Sequence, residues 1–503
     1  MKDVCFVLAG LAVGCGAVSS GNGDDDDHQS QTLSAPSQVT ATANLDHGVR
    51  LAWVAPVGAD DTTDYHVTAS PGDGDVLVSG TNAVATGLVA GTSYTFTVAA
   101  SNDSGTSPDS DPSPAVTAVT GPAAPTSLFA CGANTQVTVR ATASAPMAFN
   151  IYSDTTDPTL LTDNPDQVAS LPVVLTGLTN ETARHYIVTA VDANGIESLP
   201  TAADTATPSA TIHDSMFVSS FRVDAFVEVV DCFSKLATGA SAVGRQLGGA
   251  NVGILPKDYN ELAIDPARAI LYHRNPTSVL VFDDATRVSG NTKPSRTISS
   301  TALTSGRGIA VDTTRDLLYV IDANAHIRVF TNASVANGTV TPAHTIDSAA
   351  FALAGSIAID TVNDRIYVAN YSNVLVFDNA STRNGSITPT RTITLTGTTL
   401  SSFGVALDAS ADLLYIASRD EGMVSSIPAS TSNGAVTPLR AITGLDVPMG
   451  AGIFNNHLVT VSDNNSKTVS MWTSANTTTG NTAPDEALVI PAITAEGSFA
   501  YAP

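Results

Sequence analysis

Four aspartates recur at one place in a repeated pattern, and carboxylates of this kind could together hold a calcium ion. Each ends a short apolar run and begins a turn. The four residues are Asp265, Asp312, Asp360 and Asp408. Phe454 and Ala502 interrupt the column at two further places. We favour a structural role, in which each Asp accepts backbone N–H groups of its own turn. We predict no cofactor, and calcium at this column is the alternative.

A second recurring column is mostly cationic and could attract an acidic partner. Its places are Arg245, Arg296, His344, Arg391, Arg440 and Glu486. Because the chain has a formal net charge of -25, we expect these side chains to be exposed and to pair with the acidic surface. Exposed pairs contribute only about 0–1 kcal/mol each. The column therefore predicts rim charges of repeated strands rather than a binding site.

The histidines do not have the spacing of a catalytic zinc site, which needs about three ligands that converge on one open position. Those in or beside the repeated region are His213, His273, His326, His344 and His457. They fall at unrelated places in the repeat, so we expect structural or surface histidines. His273 could face a channel or a neighbouring repeat. Asn275, Asn324 and Asn373 are loop candidates for a ligand site, and we assign no catalytic or metal-binding residue.

Two of the four cysteines lie in an N-terminal stretch, 1–19, that has the features of a secretory signal peptide. It has a positively charged start and a short apolar core from Val4 to Val13. Its sequence Ala12-Val-Gly-Cys15 resembles a bacterial lipobox, which implies lipidation of Cys15. Cleavage after Ser19, which would release a soluble protein, is the alternative. The acidic stretch 20–34 predicts a solvated, flexible tether.

The other two cysteines, Cys131 and Cys232, lie in different predicted domains. An oxidising compartment permits a disulfide between them, but a sequence gives no distance between two thiols. We favour two free buried thiols, and one bridge between domains is the alternative.

A repeated unit of four β-rich runs positions the aspartate column. The first clear copy consists of Glu261-Leu-Ala-Ile-Asp265, Ile270-Leu-Tyr272, Val279-Leu-Val-Phe282 and Pro294-Ser-Arg-Thr-Ile298. Copies follow at a period of about 48 residues, which is typical of the blades of a β-propeller. First strands are expected to start at 261, 308, 356, 404, 450 and 498.

These starting points predict six blades within 214–503. The unit that begins near Met216 has no first strand of its own, while 497–503 has the apolar pattern of a first strand without a unit. The C-terminal strand therefore completes the N-terminal blade, and the ring closes without an open edge. A linear stack of sheets is the alternative.

The repeats resemble NHL-type six-bladed propellers, a group that also includes gluconolactonase-like and streptogramin-lyase-like enzymes. The resemblance implies an architecture and leaves the activity open, because one propeller scaffold hosts both binding and catalysis. In a lactonase-like enzyme, acidic and amide ligands would gather a divalent metal at the mouth of the channel.

Two smaller β-rich regions precede the repeats. In 35–119, the runs around Trp53, Tyr65 and Tyr94 resemble a fibronectin type III domain. The resemblance implies that Trp53 and Tyr65 pack between two sheets and that Tyr94 forms a tyrosine corner. The region 121–208 repeats the scheme less clearly, with Ala141 where the first has Trp53. We predict a second, divergent fibronectin type III-like domain.

The predicted fold class is all-β: two fibronectin type III-like β-sandwiches followed by a six-bladed β-propeller closed by the C-terminal strand. The acidic composition disfavours nucleic acid as a partner, and no apolar run has the roughly 18 residues of a membrane span.

We expect a non-enzymatic extracellular surface protein, a bacterial outer-envelope lipoprotein that touches the membrane only through its lipid anchor. Its propeller would bind a protein, peptide or glycan and would be displayed on fibronectin-like spacers. The alternatives are a metal-dependent propeller hydrolase or lyase and a structural component of the envelope or matrix.

Overall fold

The computed structural model describes residues 33–502 apart from 73, 145–147, 157, 161–164, 212–214, 220–225, 233–244, 256–260, 399, 455–456, 463–467 and 490–498. The predicted signal peptide with Cys15, nearly all of the tether, and His213 lie outside the described residues. The described chain is all-β, and its only helical element is a 3-10 turn at Ala380–Thr382. It contains no helix that is long and apolar enough to cross a membrane.

The chain forms two compact units. The first extends to Pro122 and includes Gly195–Glu197, and the second comprises Ala123–Asn194 and the chain from Ser198 onward.

The first unit contains a β-sandwich of eight strands. The strands are β1 Ser37–Leu45, β2 Gly48–Val54, β3 Asp64–Ser70, β4 Asp75–Ser79, β5 Asn82–Thr86, β6 Ser93–Asn102, β7 Gly105–Thr106 and β8 Val116–Thr117. One sheet has the order β1-β2-β5-β4, and the other joins β3, β6 and β7, with β8 also on β6. Trp53 packs on Tyr65 with ring centroids 5.3 Å apart, and the Tyr94 hydroxyl accepts the Val89 N–H at 3.0 Å. Both contacts are the ones that the fibronectin resemblance implies.

A segment without strand structure covers one edge of β6. In this segment a serine at every third position makes two hydrogen bonds to one residue of β6. The backbone N–H of the serine donates to that residue's carbonyl oxygen, and the serine hydroxyl oxygen accepts that residue's N–H. The pairs are Ser107 with Ala100, Ser110 with Val98 and Ser113 with Phe96, at 2.8–3.1 Å. The prolines between the serines have no N–H to offer, so this edge cannot recruit a further strand.

The second unit begins with another sandwich. Its strands are β9 Thr126–Ala133, β10 Gln136–Thr142, β11 Ala148–Asp154, β12 Asp166–Val168, β13 Val173–Thr176, β14 Arg184–Val191 and β15 Asp204–Ala206. They form the sheets β13-β10-β9 and β12-β11-β14-β15. Ser198 and Thr201 cover the edge of β14 as the serines cover β6, through Ala190 and Val188. The two sandwiches thus close an edge in the same way.

Cys131 and Cys232 form a disulfide, so the expectation of free thiols was wrong. Their Cα atoms are 5.8 Å apart, within the normal range for a bridge, although the sequence separates them by 101 positions. Arg287 also donates to the Asn134 carbonyl oxygen, and Asn134 donates to Asp284 at 3.4 Å. The second sandwich is therefore fixed to the sheets that follow it.

The remaining strands form six sheets. The first ten are β16 Ser215–Ser219, β17 Phe226–Asp231, β18 Arg245–Gly248, β19 Leu262–Asp265, β20 Ile270–Asn275, β21 Ser278–Phe282, β22 Arg296–Ser299, β23 Ile309–Asp312, β24 Leu317–Ile321 and β25 Ile327–Thr331. The next nine are β26 Gly338–Thr339, β27 His344–Asp347, β28 Ile357–Asp360, β29 Arg365–Ala369, β30 Val374–Asp378, β31 Gly385–Ser386, β32 Arg391–Leu395, β33 Ser402–Asp408 and β34 Leu413–Ser418. The last eight are β35 Met423–Pro428, β36 Gly434–Val436, β37 Arg440–Thr443, β38 Pro448–Phe454, β39 His457–Ser462, β40 Thr468–Trp472, β41 Glu486–Val489 and β42 Phe499–Ala502.

We number the sheets in chain order. Sheet 1 is β42-β16-β17-β18, sheet 2 β19-β20-β21-β22-β26, sheet 3 β23-β24-β25-β27-β31, sheet 4 β28-β29-β30-β32-β36, sheet 5 β33-β34-β35-β37 and sheet 6 β38-β39-β40-β41. The Glu261 end of a sheet is the end where its first strand begins, and the Asp265 end is the end where that strand finishes. Among the described strands, no sheet closes on itself.

The first strands of the six sheets contact one another in sequence, and β38 of sheet 6 contacts β42, which contacts β19. The C-terminal β42 pairs antiparallel with β16, with Met216 opposite Tyr501. Apolar side chains pack between sheets 1 and 2, 2 and 3, 3 and 4, 4 and 5, and 5 and 6. They include four buried tyrosines at one repeat position, Tyr272, Tyr319, Tyr367 and Tyr415.

Deletion of Ser498 to Pro503 is expected to lower the melting temperature and to remove cooperative unfolding of the six sheets. Without β42, sheet 1 lacks its first strand, and Met216, Phe217 and Val218, which are fully buried, become accessible to water. Circular dichroism melting measures the effect, with deletion of Pro503 alone as the control. A deletion variant that melts like the full chain contradicts this role of β42.

Candidate functional site

The aspartate column closes the turns at the Asp265 end. Asp265 accepts the Arg268 N–H at 3.1 Å, and Asp360 accepts the Asn363 N–H at 2.9 Å. Asp312 and Asp408 each accept two backbone N–H groups of their own turns at 3.0 Å. The hydrogen bonds are those of the structural role favoured from the sequence.

A second aspartate column in the same turns was missed by the sequence analysis. It consists of Asp316, Asp364 and Asp412, which all have a positive φ. Each accepts the backbone N–H and the hydroxyl of one serine in the next turn of its sheet, at 2.6–3.0 Å. The recurring spacing Asp-x-x-x-Asp is the signal that could have revealed it.

The arginine column connects neighbouring sheets. The predicted pairing with acidic residues occurs, between Arg245 and Asp231 and between Arg296 and Asp283, each at 2.7 Å, but the predicted exposure was wrong. Arg296 donates to the carbonyl oxygens of Ala333 and Ala336 in sheet 3, at 3.2 and 2.8 Å, and its side chain is only 12% exposed. Arg391 donates in the same way to Ala429 and Ser432 of sheet 5, both at 2.9 Å. Sequence alone did not show that the next sheet's loop lies over each outer strand.

Two other members of that column, Arg245 and His344, lie at the same place in their sheets. Arg245 donates to the Val288 carbonyl oxygen of sheet 2 at 2.8 Å, and His344 begins β27. The side chain of Glu486 lies outside the described residues.

Asparagines reinforce the same contacts. The Oδ1 atoms of Asn337, Asn384 and Asn433 accept backbone N–H groups from the outer strand of the preceding sheet, at 3.1–3.3 Å. The glycine after each one begins a short strand, β26, β31 or β36, which pairs parallel with that outer strand. Each of these loops therefore adds a fifth strand to the sheet before it.

One group of charged residues breaks the repeat, at the Glu261 end of sheets 2 and 3. Arg274 stands where sheets 3, 4 and 5 have Ile321, Ala369 and Ala417. Its side chain is buried, and its guanidinium donates to the carbonyl oxygens of Thr304 at 2.7 Å and Ser278 at 3.3 Å. A buried guanidinium is costly unless it is hydrogen-bonded and paired with opposite charge.

Glu261 provides part of that opposite charge. It stands where sheets 3, 4 and 5 have Gly308, Ser356 and Gly404. The residue is half-buried as a whole, but its carboxyl group is enclosed, and burial raises the pKa of that carboxyl to about 7. The nearby N–H groups of Ile309 and Gly308 and the charge of Arg274 oppose this rise in pKa. A carboxyl group with a pKa near neutrality is common at functional sites.

Asp322 provides the other carboxylate, and it is hydrogen-bonded to one arginine and one histidine. It is buried and accepts hydrogen bonds from Arg328, at 2.7 and 2.9 Å, and from the Nδ1 atom of His326 at 3.2 Å. Burial lowers the pKa of Arg274 to about 10, while Glu261 and Asp322 act to raise it. We call Glu261, Arg274, Asp322, His326 and Arg328 the polar cluster.

The other candidate residues do not join the polar cluster. His273 is fully buried where other sheets have aliphatic residues, and burial lowers its pKa to about 3, so it is neutral. Asn275 donates to the Gly253 carbonyl oxygen at 2.8 Å, and Asn373 accepts from Asn370. The backbone N–H of Asn324 donates to Asp322. His457 begins β39, and its side chain lies outside the described residues.

No group of three or more His, Cys, Asp or Glu side chains that could hold a metal occurs in the described part of the chain. The polar cluster contains only two carboxylates and one imidazole, and both carboxylates already accept hydrogen bonds.

An exposed aromatic side chain lies at the same end of the neighbouring sheet. Tyr371 follows β29 and is 41% exposed, and its φ is 59°, which is unfavourable for a bulky residue. Its carbonyl oxygen accepts the Ser402 N–H at 2.8 Å. Leu353, also exposed, lies at the Glu261 end of sheet 4.

Residues 34–116 match the fibronectin type III domain family, which confirms the first predicted domain. None of the curated proteins is similar in sequence to this chain. A solved structure described as that of U3-55K is 13% identical, over 57% of this chain and 82% of that one, with a TM-score of 0.37. The β-propeller domain of Cps50 (Swd1) from Myceliophteria thermophila is 11% identical, over 49% and 90%, with a TM-score of 0.33.

Glu261→Gln is expected to stabilise the protein increasingly as pH rises. The folded protein keeps the Glu261 proton up to about pH 7, whereas an ordinary Glu releases it near 4.5. Rising pH through this window therefore lowers the free energy of unfolding of the wild type. Gln keeps the acceptor oxygen but has no titrating proton, so the variant does not lose this stability. Thermal melting between about pH 4.5 and about pH 8 measures the difference. A difference in melting temperature that stays constant over this range contradicts the raised pKa.

Proposed function

We propose that the six sheets are the blades of one closed NHL-type propeller, and that its Glu261 end binds an extracellular protein, peptide or glycan. The cyclic contacts of the first strands and the pairing of β42 with β16 support a closed ring. The protein is then a surface binding protein without catalytic activity, and its fibronectin-like sandwiches act as spacers.

The polar cluster is the observation that carries this proposal. The repeats of sheets 2 to 5 have similar residue types at most equivalent positions. A different residue type at one of these positions that does not improve the packing between sheets therefore needs another explanation. Arg274 and Glu261 replace small or aliphatic residues with charged ones in a mostly enclosed place. Arg328 and His326, which contact Asp322, remain partly accessible, and Tyr371 is exposed at the same end of sheet 4. Charged groups with an exposed aromatic residue are a combination enriched in binding surfaces.

The attachment of the second sandwich also supports the Glu261 end as the binding face. The disulfide at Cys232 and the contacts of Asp284 and Arg287 with Asn134 all lie at the Asp265 end of sheets 1 and 2. A spacer attached at the Asp265 end leaves the Glu261 end for a partner.

A test compares the wild-type protein with Arg328→Gln and Tyr371→Ser on arrays of glycans and of peptides. Both variants are expected to lose at least about tenfold in affinity, because each removes one accessible side-chain group that a bound partner would cover. Val362→Ser is the matched control, since Val362 is also exposed but lies at the Asp265 end. Unchanged binding by both variants, or an equal loss in the control, contradicts the proposal.

An acid–base hydrolase, of the metal-dependent lactonase type, is the second candidate. The pKa of Glu261 favours it, because a general acid or base works best with a pKa near the working pH. Metal analysis of the purified protein and lactone hydrolysis by wild type and Glu261→Gln distinguish the two. Stoichiometric calcium or zinc, with turnover that Glu261→Gln abolishes, favours the enzyme. Absence of turnover together with retention of an array ligand favours the binding protein.

We also propose that the protein is anchored to a bacterial outer envelope by lipid on Cys15. The lipobox-like sequence before Cys15 supports this proposal, and several acyl chains, at about 0.8 kcal/mol per buried methylene, hold a protein firmly in a membrane. Growth with labelled palmitate is expected to label the wild type and not Cys15→Ala. An unlabelled wild type, or a labelled variant, contradicts the anchor.

A further inference from the structure

Three loops between neighbouring sheets contain the dipeptide Asn-Gly at one repeat position, and this dipeptide is chemically reactive. Glycine has no side chain to block an attack of its backbone nitrogen on the carboxamide carbon of the residue before it. Both residues of each dipeptide are exposed. The three dipeptides are Asn337-Gly338, Asn384-Gly385 and Asn433-Gly434.

The geometry at Asn337 brings the reacting groups together. The backbone nitrogen of Gly338 lies 2.9 Å from the Oδ1 atom of Asn337, to which it donates a hydrogen bond. The nitrogen and the carboxamide are therefore held close to each other before any reaction, which lowers the entropic part of the barrier. The space beside all three glycines is open, because a Cβ atom built there would have no neighbour within 4 Å. Water therefore has access to each dipeptide.

A backbone N–H of the preceding sheet also donates to each Oδ1 atom. The donors are Thr297 to Asn337 at 3.2 Å, Thr345 to Asn384 at 3.1 Å and Thr392 to Asn433 at 3.3 Å. Negative charge develops on Oδ1 when the glycine nitrogen attacks, and a donor that is already in place stabilises that charge. The hydrogen bond that attaches each loop to the preceding sheet therefore also activates the carboxamide.

We propose that Asn337, Asn384 and Asn433 are sites of self-modification, where each asparagine converts to aspartate or isoaspartate through a succinimide. The glycine nitrogen gives its proton to a solvent base and forms a bond to the carboxamide carbon. The bond from that carbon to Nδ2 breaks, and Nδ2 takes up a proton from solvent and leaves as ammonia. Water then opens the succinimide ring at one of its two carbonyl carbons. Opening at the main-chain carbonyl gives isoaspartate.

Isoaspartate changes the contact between sheets, whereas aspartate does not. It inserts the side-chain methylene carbon into the backbone directly before the glycine, and that glycine pairs with the outer strand of the preceding sheet. The longer backbone moves the glycine and the residues after it out of register with that strand. Aspartate keeps both the backbone and an acceptor oxygen. Each conversion to isoaspartate is therefore expected to release one fifth strand.

The corresponding loop of sheet 2 provides a control within the chain. Its asparagine is Asn291, and the Oδ1 atom of Asn291 accepts the Asn251 N–H at 2.7 Å. The residue after it is Thr292, whose branched side chain hinders attack by its own backbone nitrogen. Asn291 therefore has an activated carboxamide without a reactive neighbour.

Long incubation of the folded full-length protein in mildly alkaline buffer tests the proposal, with mass spectrometry that distinguishes isoaspartate from aspartate. The three sites are expected to convert at least about tenfold faster than Asn291. They are also expected to convert at least as fast as a free peptide of residues 384–390, because the folded protein positions and activates the carboxamide. Slower conversion than in the peptide, or an equal rate at Asn291, overturns the proposal.

Two variants test the two steps separately. Thr292→Gly creates an Asn-Gly dipeptide at Asn291 and is expected to convert there about as fast as Asn337 does. Fresh protein with Asn337→Asp, Asn384→Asp and Asn433→Asp is expected to melt like fresh wild type, while incubated wild type melts at a lower temperature. Absence of conversion at Asn291 in well-folded Thr292→Gly, or incubated wild type that melts like fresh protein, overturns the proposal.

Discussion

Sheets 2, 3 and 4 each receive hydrogen bonds from a loop of the next sheet, bonds that no strand of their own provides. The loop that follows the third strand of a sheet lies against the outer strand of the preceding sheet. An asparagine of the loop accepts an N–H of that outer strand, and the next two residues pair with it as a short fifth strand. In return, an arginine on that outer strand caps carbonyl oxygens of the loop, as Arg296 does for Ala333 and Ala336. Stability therefore resides in pairs of sheets more than in single sheets, as in other repeat proteins.

This dependence explains why the sequence predicted the sheets better than their contacts. The period, the apolar runs and the turn aspartates are local signals, and they predicted strands, their order and the role of Asp312. The inter-sheet role of the arginines depends on which loop lies over which strand. That arrangement involves residues far apart in the chain, so no local sequence pattern predicts it. The disulfide of Cys131 and Cys232 was only the alternative to free thiols for the same reason, since their proximity exists only once both domains are folded.

The regular repeat made the fold predictable from the sequence, but it drew attention away from the residues of the candidate site. Glu261 was placed at the start of a repeated run, Arg274 was not singled out, and His326 was expected to be a structural or surface histidine. Only the structure shows that Asp322 joins His326 and Arg328 beside Arg274. Comparison of the repeats position by position would have singled out Arg274, because aliphatic residues occupy its place in three other sheets. The departures from the internal repeat at Glu261 and Arg274 are therefore the observation on which the proposed binding face depends.

The proposed binding face at the Glu261 end requires that the six sheets are held in one closed arrangement. Amide hydrogen exchange of the intact protein tests this most directly, since it compares β42 and β16 with the interior β29 of sheet 4. The account predicts that amides of Phe499–Ala502 and Ser215–Ser219 exchange about as slowly as those of Arg365–Ala369. Exchange of Phe499–Ala502 at the rate of an unstructured chain would contradict it.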